Sequence, residues 1–165
     1  MTKLAYAARN FLAQQESVTS LLGSDDLGPW IFVNQPEATV ENTGDVLVVI
    51  SSTSGWGANG HNTARFPVLI VDIWADPTRD PASHAVMRKD ADLKVERVFE
   101  AIDKFLHLTH RSVNGDSVIW GTPDQVTNRT GVRIIASERQ DEPTMRPAFN
   151  DEGAIMGSVR YNVSI

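Results

Sequence analysis

The chain has 165 residues, 41% hydrophobic and 22% charged, an ordinary globular balance that supports one core, so a single domain over 1–165 is expected. A formal net charge of −6 argues against a sequence-independent nucleic-acid binder, which needs a basic face. The lack of cysteine excludes a disulfide framework, a thiolate zinc site and a cysteine nucleophile.

Met1 to Tyr6 shows no basic region followed by an apolar run, so no signal peptide is expected. No stretch approaches the ~18 consecutive apolar residues of a membrane-spanning helix. Cytoplasmic residence, or assembly there into something larger, is the expectation. Leu4, Ala8, Phe11 and Leu12 stand at helical spacing, and Val18, Leu21 and Leu22 continue the apolar face. Gln14-Gln15-Glu16-Ser17 interrupts it, so one long helix and a helix followed by a short one near Ser17 both fit. Gly23 is a plausible stop, and Ser24-Asp25-Asp26 begins a turn. Trp30 to Val33 reads as a short strand, Asn34 to Gly44 as loop, and Asp45 to Ser51 as a strand apolar on both faces. Ser52 to Ala64 is a loop of small and polar residues containing Trp56 and His61.

Phe66 to Ala75 is the spine of the pattern. Nearly every residue is apolar on both alternating faces, which predicts a strand covered on both sides or paired at both edges. Asp76 to Pro81 breaks it, and a long amphipathic helix is predicted from about 81 to 109, with Asp80 as N-cap and Pro81 near its start. Ala91, Val95, Val98, Ile102 and Phe105 form its stripe. Five acidic and five basic residues between Arg88 and Lys104 balance, which fits a solvated outer face. Asn114-Gly115 marks a turn, Ser117 to Trp120 a short strand, Gly121 to Thr130 a loop and Val132 to Glu138 a strand whose apolar set is Val132, Ile134 and Ala136. Gln140 to Gly153 is a long polar loop. The final strand alternates Ile155, Val159, Tyr161, Val163 and Ile165 with Ser158, Arg160, Asn162 and Ser164, which means one covered face and one face that is wet or meets a partner. The order helix, strands, helix, strands favours α+β, with a mixed, mostly antiparallel sheet carrying an N-terminal helix and the long one.

The motifs with chemical meaning are weak in context. Gly55-Trp56-Gly57-Ala58-Asn59-Gly60 matches G-x-G-x-x-G, but a strand rather than a helix follows it, so no helix N-terminus is there to hold a pyrophosphate. Asp76, Asp80 and His84 share a fourfold spacing, yet Pro77 and Pro81 break any helix that would present them to a metal. His107 and His110 complement a helix end without further purpose. No G-x-S-x-G elbow and no phosphate-binding loop is present, and the N-x-[ST] triplets at 128 and 162 are idle without secretion. Asp72, the one charge inside the spine, needs a solvent face or a partner such as Arg133. Trp56 stands in a Gly/Ser/Asn loop, where an aromatic either folds back on its own domain or meets a binding surface.

Val18-Thr19-Ser20-Leu21-Leu22-Gly23 closing an N-terminal helix, Val71-Asp72-Ile73-Trp74-Ala75 before a long amphipathic helix, and a last strand ending Arg160-Tyr161-Asn162-Val163-Ser164-Ile165 together resemble the tail terminator (tail completion) proteins of long, flexible-tailed bacteriophages. The resemblance covers most of the chain as an order of elements. It implies a virion protein assembled in the host cytoplasm: a ring, expected to be a hexamer, at the head-proximal end of the tail tube. Such a ring ends tube polymerisation and docks on the head-closure protein of the connector, while DNA passes through its lumen without specific binding. It implies no enzyme activity, no cofactor, no metal and no membrane. Sheet edges and extended loops are the expected contact surfaces, with Trp56, His61, Arg65, Arg146 and Phe149 as interface candidates. A neck adaptor is the alternative within the same class. A small α+β enzyme using Asp72 or Asp76 with His61 or His84, and a small-ligand module at Gly55 to Gly60, are the alternatives outside it.

Overall fold

The computed structural model describes residues 2–53, 67–108, 118–121, 132–148 and 153–165. Helix α1 (Thr2–Leu12) is followed by the single turn α2 (Glu16–Thr19). The break falls at Ala13–Gln15, where the apolar stripe lapses and the Gln15 N–H turns back to the Leu12 carbonyl. Short strands β1 (Ser24–Asp25) and β2 (Gly28–Pro29) form a hairpin, and β3 (Ile31–Val33) runs parallel to β4 (Val46–Thr53). Strand β5 (Val68–Ala75) leads into a second hairpin, β6 (Thr78–Arg79) and β7 (Val86–Arg88), and then helix α3 (Ala91–Leu106). Strands β8 (Val118–Trp120) and β9 (Val132–Ile134) pair with each other, and β10 (Ala136–Arg139), β11 (Thr144–Pro147) and β12 (Ile155–Ser164) complete the chain.

The main sheet has the order β10-β12-β5-β4-β3 and is antiparallel except at β3–β4. Strand β11 also pairs with β12. Because β5 occupies the other edge of β12, β10 and β11 lie end to end along one side of it. The fold is α+β with a mixed sheet, as the order of elements predicts.

Period-two alternation assigns the faces. Val159, Val71 and Ile50 stand in one cross-strand row, all buried beneath the helices with Leu4, Leu12, Val95, Val98 and Ile102. Ser158, Asp72 and Val49 stand in the next row, on the opposite face. Helix α1 lies over β3 and β4, and α3 over β5 and β12. On the opposite face, among the described residues, the β3–β4 side is filled by Val40, Leu47 and Val49 with Trp30, Phe32 and Trp74.

The spine strand β5 is paired at both edges, by β4 and β12, which is one of the two arrangements its doubly apolar pattern predicts; Leu69, Val71, Ile73 and Ala75 are fully buried, and Val68, Ile70, Asp72 and Trp74 are half-buried. Three expectations are corrected. The long helix starts at Ala91, not near 81. Residues 78–88 are a hairpin instead, because Asp80 accepts from the backbone N–H groups of Ala82 and Ser83 and so builds a turn rather than a helix cap. The polar stretch 140–153 contains β11. The strand expected over 132–138 divides at Ile135, and burial changes parity there: Val132 and Ile134 are buried, then Ser137, while Ala136 is not. The start of the spine at Phe66 lies outside the described residues.

Glycine 157 accounts for the gap in the apolar series of β12. A Cβ placed there meets Cγ1 of Val95, so the bare backbone is what lets α3 lie close to β12. Gly157→Val is expected to lower stability by about 1–3 kcal/mol through overpacking. Urea denaturation checks this, and Val95→Ala in the same chain should recover part of the loss.

Candidate functional site

The end of β5 is held by a buried ion pair. Asp76 is 1% exposed and follows directly on the strand. Its Oδ2 accepts from Arg79 Nε at 2.6 Å and from the Gly44 N–H at 2.8 Å, and its Oδ1 accepts from Arg79 Nη2 at 3.2 Å. The Arg79 side chain is 6% exposed. A bidentate fork satisfies a buried carboxylate in a way a point charge does not. Arg79 Nη1 also donates to the His84 carbonyl at 2.9 Å, which ties the hairpin turn to the same pair. Lys94 of α3 donates to the carbonyls of Gly44 and Asp76 at 2.6 and 2.9 Å. One cluster therefore joins the loop before β4, the end of β5, the β6–β7 hairpin and α3.

Further contacts set the hairpin. Asp90, at the start of α3, turns its carboxylate to the N–H and hydroxyl of Thr78, at 2.8 and 2.7 Å. Burial pushes the Asp90 carboxyl up, but those bonds outweigh it and hold the group below its ordinary value. The N–H groups of Ser83 and Ala82 hold Asp80 low in the same way. Asp45 goes the other way: burial raises it, against the pull of Lys94. His84 takes φ 59 to close the turn, a left-handed conformation that histidine adopts more readily than most residues. Thr78 pairs with Arg88 and Arg79 with Val86, so Met87 is the extra residue of a bulge.

A second cluster fixes the far side of the sheet to α3. Asp103 accepts from the Tyr161 hydroxyl and from Arg139 Nη1, both at 2.8 Å. Burial first, and the Asp103 bond second, hold the Tyr161 phenol well above its ordinary value. Arg139 also lies over the Phe99 ring at 5.3 Å and pairs with Glu142 at 3.3 Å. His107, at the end of α3, accepts from the Arg139 N–H through Nδ1 at 3.0 Å, so its role is a specific bond to β10 rather than dipole complementation alone.

The sheet edges are largely closed. Arg9 of α1 donates to the Ile31 carbonyl at 3.1 Å, and the Val33 carbonyl accepts from the Gln35 N–H, which occupies outward groups of β3. Leu108 bridges to Ser137 on the outer side of β10. β11 ends on Pro147, which has no N–H to offer. These are the devices that stop strand addition. Among the described residues the outer groups of β3 and β10 are thus partly occupied, while the open face and the hairpins are exposed.

The open face holds a shallow hollow of about 500 Å3 between β5, β12 and β11. Ile70 and Met156 contribute apolar surface, and Asp72, Asp141, Arg146 and Arg160 bring charge. Asp72 is half-buried and sits beside Ser158 in register. Opposite charges share this hollow without pairing: among the described residues Asp72, Asp141 and Arg160 form no side-chain hydrogen bond or ion pair, and Arg146 reaches only the Met156 sulfur, at 3.8 Å. Arg133 lies on β9, exposed and away from Asp72, so the pairing considered for those two does not occur.

Arg146 is thus the one proposed interface residue that the structure places, and it lies on this face. Trp56, His61, Arg65 and Phe149 lie outside the described residues, as do Gly55 to Gly60 and His110. Asp76 and His84 are near each other, but the carboxylate is spent on Arg79 and Gly44 and the histidine offers the site its backbone carbonyl. Among the described residues no three His, Asp or Glu side chains gather as a metal-binding group, and no helix is long and apolar enough to cross a membrane. The hollow itself was legible only in part: the polar parity of β12 was readable, whereas β11, which supplies Arg146 and Thr144, was hidden in a stretch that reads as loop. Comparison with protein-family models gives no match, and comparison with curated proteins gives none either.

Removing one partner of a buried ion pair strands the other charge, so Asp76→Asn is expected to cost about 3–5 kcal/mol. In a double-mutant cycle with Arg79→Met, the paired substitution should cost clearly less than the sum of the singles, measured by urea unfolding.

Proposed function

We propose that this chain is a structural ring subunit of the tail-terminator kind. In this reading copies of it close a ring, a hexamer, on the head-proximal end of a phage tail tube. The ring ends tube growth, presents the surface on which the head-closure protein of the connector docks, and lets DNA pass without holding it. The observation that carries the reading is the asymmetry of the sheet. One face is sealed by α1 and α3, whereas the other carries half-buried apolar residues among charges that find no partner within the described chain. Unpaired charge over an apolar floor is suited to an interface, where a second surface supplies the missing partners.

Two further features support it. Exposed apolar side chains stand on the two hairpins, Leu27 at 88% and Met87 at 67% exposure. Both hairpins lie at the end of the sheet where β4 begins and β5 stops: Gly23, just before the first, bonds the Val46 carbonyl, and the second leaves from Asp76. With the edges partly occupied, such hairpins and the open face are the surfaces from which a closed ring is built. The acidic balance of the chain, −6 overall, suits a part that surrounds DNA without binding it.

The test is to polymerise tail-tube protein with and without this chain and view the tubes by negative stain. Capped tubes whose mean length falls as the chain is added are expected. Unchanged length with no density at tube ends contradicts the reading, and capture by isolated connectors with no effect on tubes would move the chain to the neck.

A further inference from the structure

The open-face hollow and the β6–β7 hairpin are complementary, and we propose that the hairpin of one copy seats in the hollow of the next. The inference rests on the ring reading above and names its subunit contact.

The hairpin is built as an insert. Asp76–Arg79, Arg79–His84 and Asp90–Thr78 fix it at its foot and its turn, so little ordering remains to be done on docking. The bulge turns out Met87, and the next two residues are Arg88 and Lys89, both exposed and with no side-chain partner among the described residues. An apolar side chain followed by two free cations matches a hollow with Ile70 and Met156 at its floor and Asp72 and Asp141 unpaired at its wall. Arg146 and Arg160, neither in an ion pair among the described residues, face the opposite need, which the half-buried Asp80 of the hairpin turn, its carboxylate already holding that turn, meets.

The hollow is a poor small-molecule site. Such pockets are predominantly apolar with a few convergent polar groups, whereas this one is lined mostly by charged and polar side chains and is open. Hairpin and hollow share no residue, so one copy can use its hairpin and its hollow at once. When each copy gives its hairpin to one neighbour and takes the hairpin of another, the contact is heterologous and closes a ring where the rotation allows; a reciprocal exchange across a two-fold would instead stop at a dimer.

The chain has no cysteine, so introduced ones report cleanly. Met87→Cys and Thr144→Cys, both at exposed positions, are placed in one chain and bridged with a short bismaleimide, free and in the presence of tube ends. Covalent multimers well beyond a dimer are expected from the double variant, and a covalent dimer from a mixture of the two single variants. Arg88→Glu with Lys89→Glu should cut the cross-linking at least tenfold, and adding Asp72→Lys and Asp141→Lys should restore it. Rings or capped tubes that form without these cross-links overturn the hairpin contact and leave the ring reading standing. Cross-linking that ends at dimers in the double variant also overturns it. The absence of rings, caps and cross-links together overturns both.

Discussion

Helices α1 and α3 lie on the same side of the sheet, and much of the rest follows from that. A sheet with an apolar face must bury it, and here the odd positions of β5, those of β12 from Gly157 to Val163, and Val46, Val48 and Ile50 of β4 are buried. Among the described residues, the other face is covered by the small cluster around Leu47, Val49, Trp30 and Trp74, at the β4 side. Across β5 and β12 it is left with Ile70, Asp72, Ser158 and Arg160, a composition neither greasy enough for a core nor polar enough for plain solvent exposure. Completion by another surface is the arrangement that such a face suits.

The ion pair at Asp76 matters for a different reason. Burying two charges costs several kcal/mol per ion before their attraction repays it, so a pair of this kind is weak ground for stability in itself. Its consequence is geometric. The fork of Arg79, the Gly44 N–H and the Lys94 ammonium fix where β5 stops and at what angle the β6–β7 hairpin leaves. Hydrophobic contacts are non-directional and would leave that angle loose. On the far side, Asp103 with Tyr161 and Arg139 plays the matching part for β10 and β12. The two ends of the sheet are thus held by polar contacts, and its middle by packing.

Elements with strong periodicity were legible. The stripe of α3, the doubly apolar β5 and the alternation of β12 each announce themselves in one pass. What failed shares one cause: a residue type that serves two local structures equally well. Asp80-Pro81 looks like an N-cap with proline at the first helical position, yet the same carboxylate bonding two N–H groups makes a tight turn. Pro143 and Pro147 read as loop, but proline is also how an edge strand protects itself, so β11 stayed hidden. The apolar set Val132, Ile134 and Ala136 omits Ser137, yet Ser137 is buried and bridges to Leu108. The open face was half readable, since polar parity in β12 predicted a wet face or a meeting face and could not distinguish them. Register decided the remainder, because only pairing puts Asp72 beside Ser158 and brings Arg146 to the same hollow.

Two patches that differ in shape and charge, on a domain with partly occupied edges, make a specific statement about symmetry. A hairpin and a hollow exchanged reciprocally yield a two-fold dimer, whereas a hairpin passed on from each copy to the next yields a repeating chain that closes when the rotation allows. The most direct measurement is the solution mass of the assembled protein, by sedimentation across a wide concentration range and on tube ends, together with negative-stain images. The account predicts a transition from monomer to one closed ring of six with no populated dimer. A stable two-fold dimer that buries the open face against itself, or a monomer that never assembles even on tubes, would contradict it.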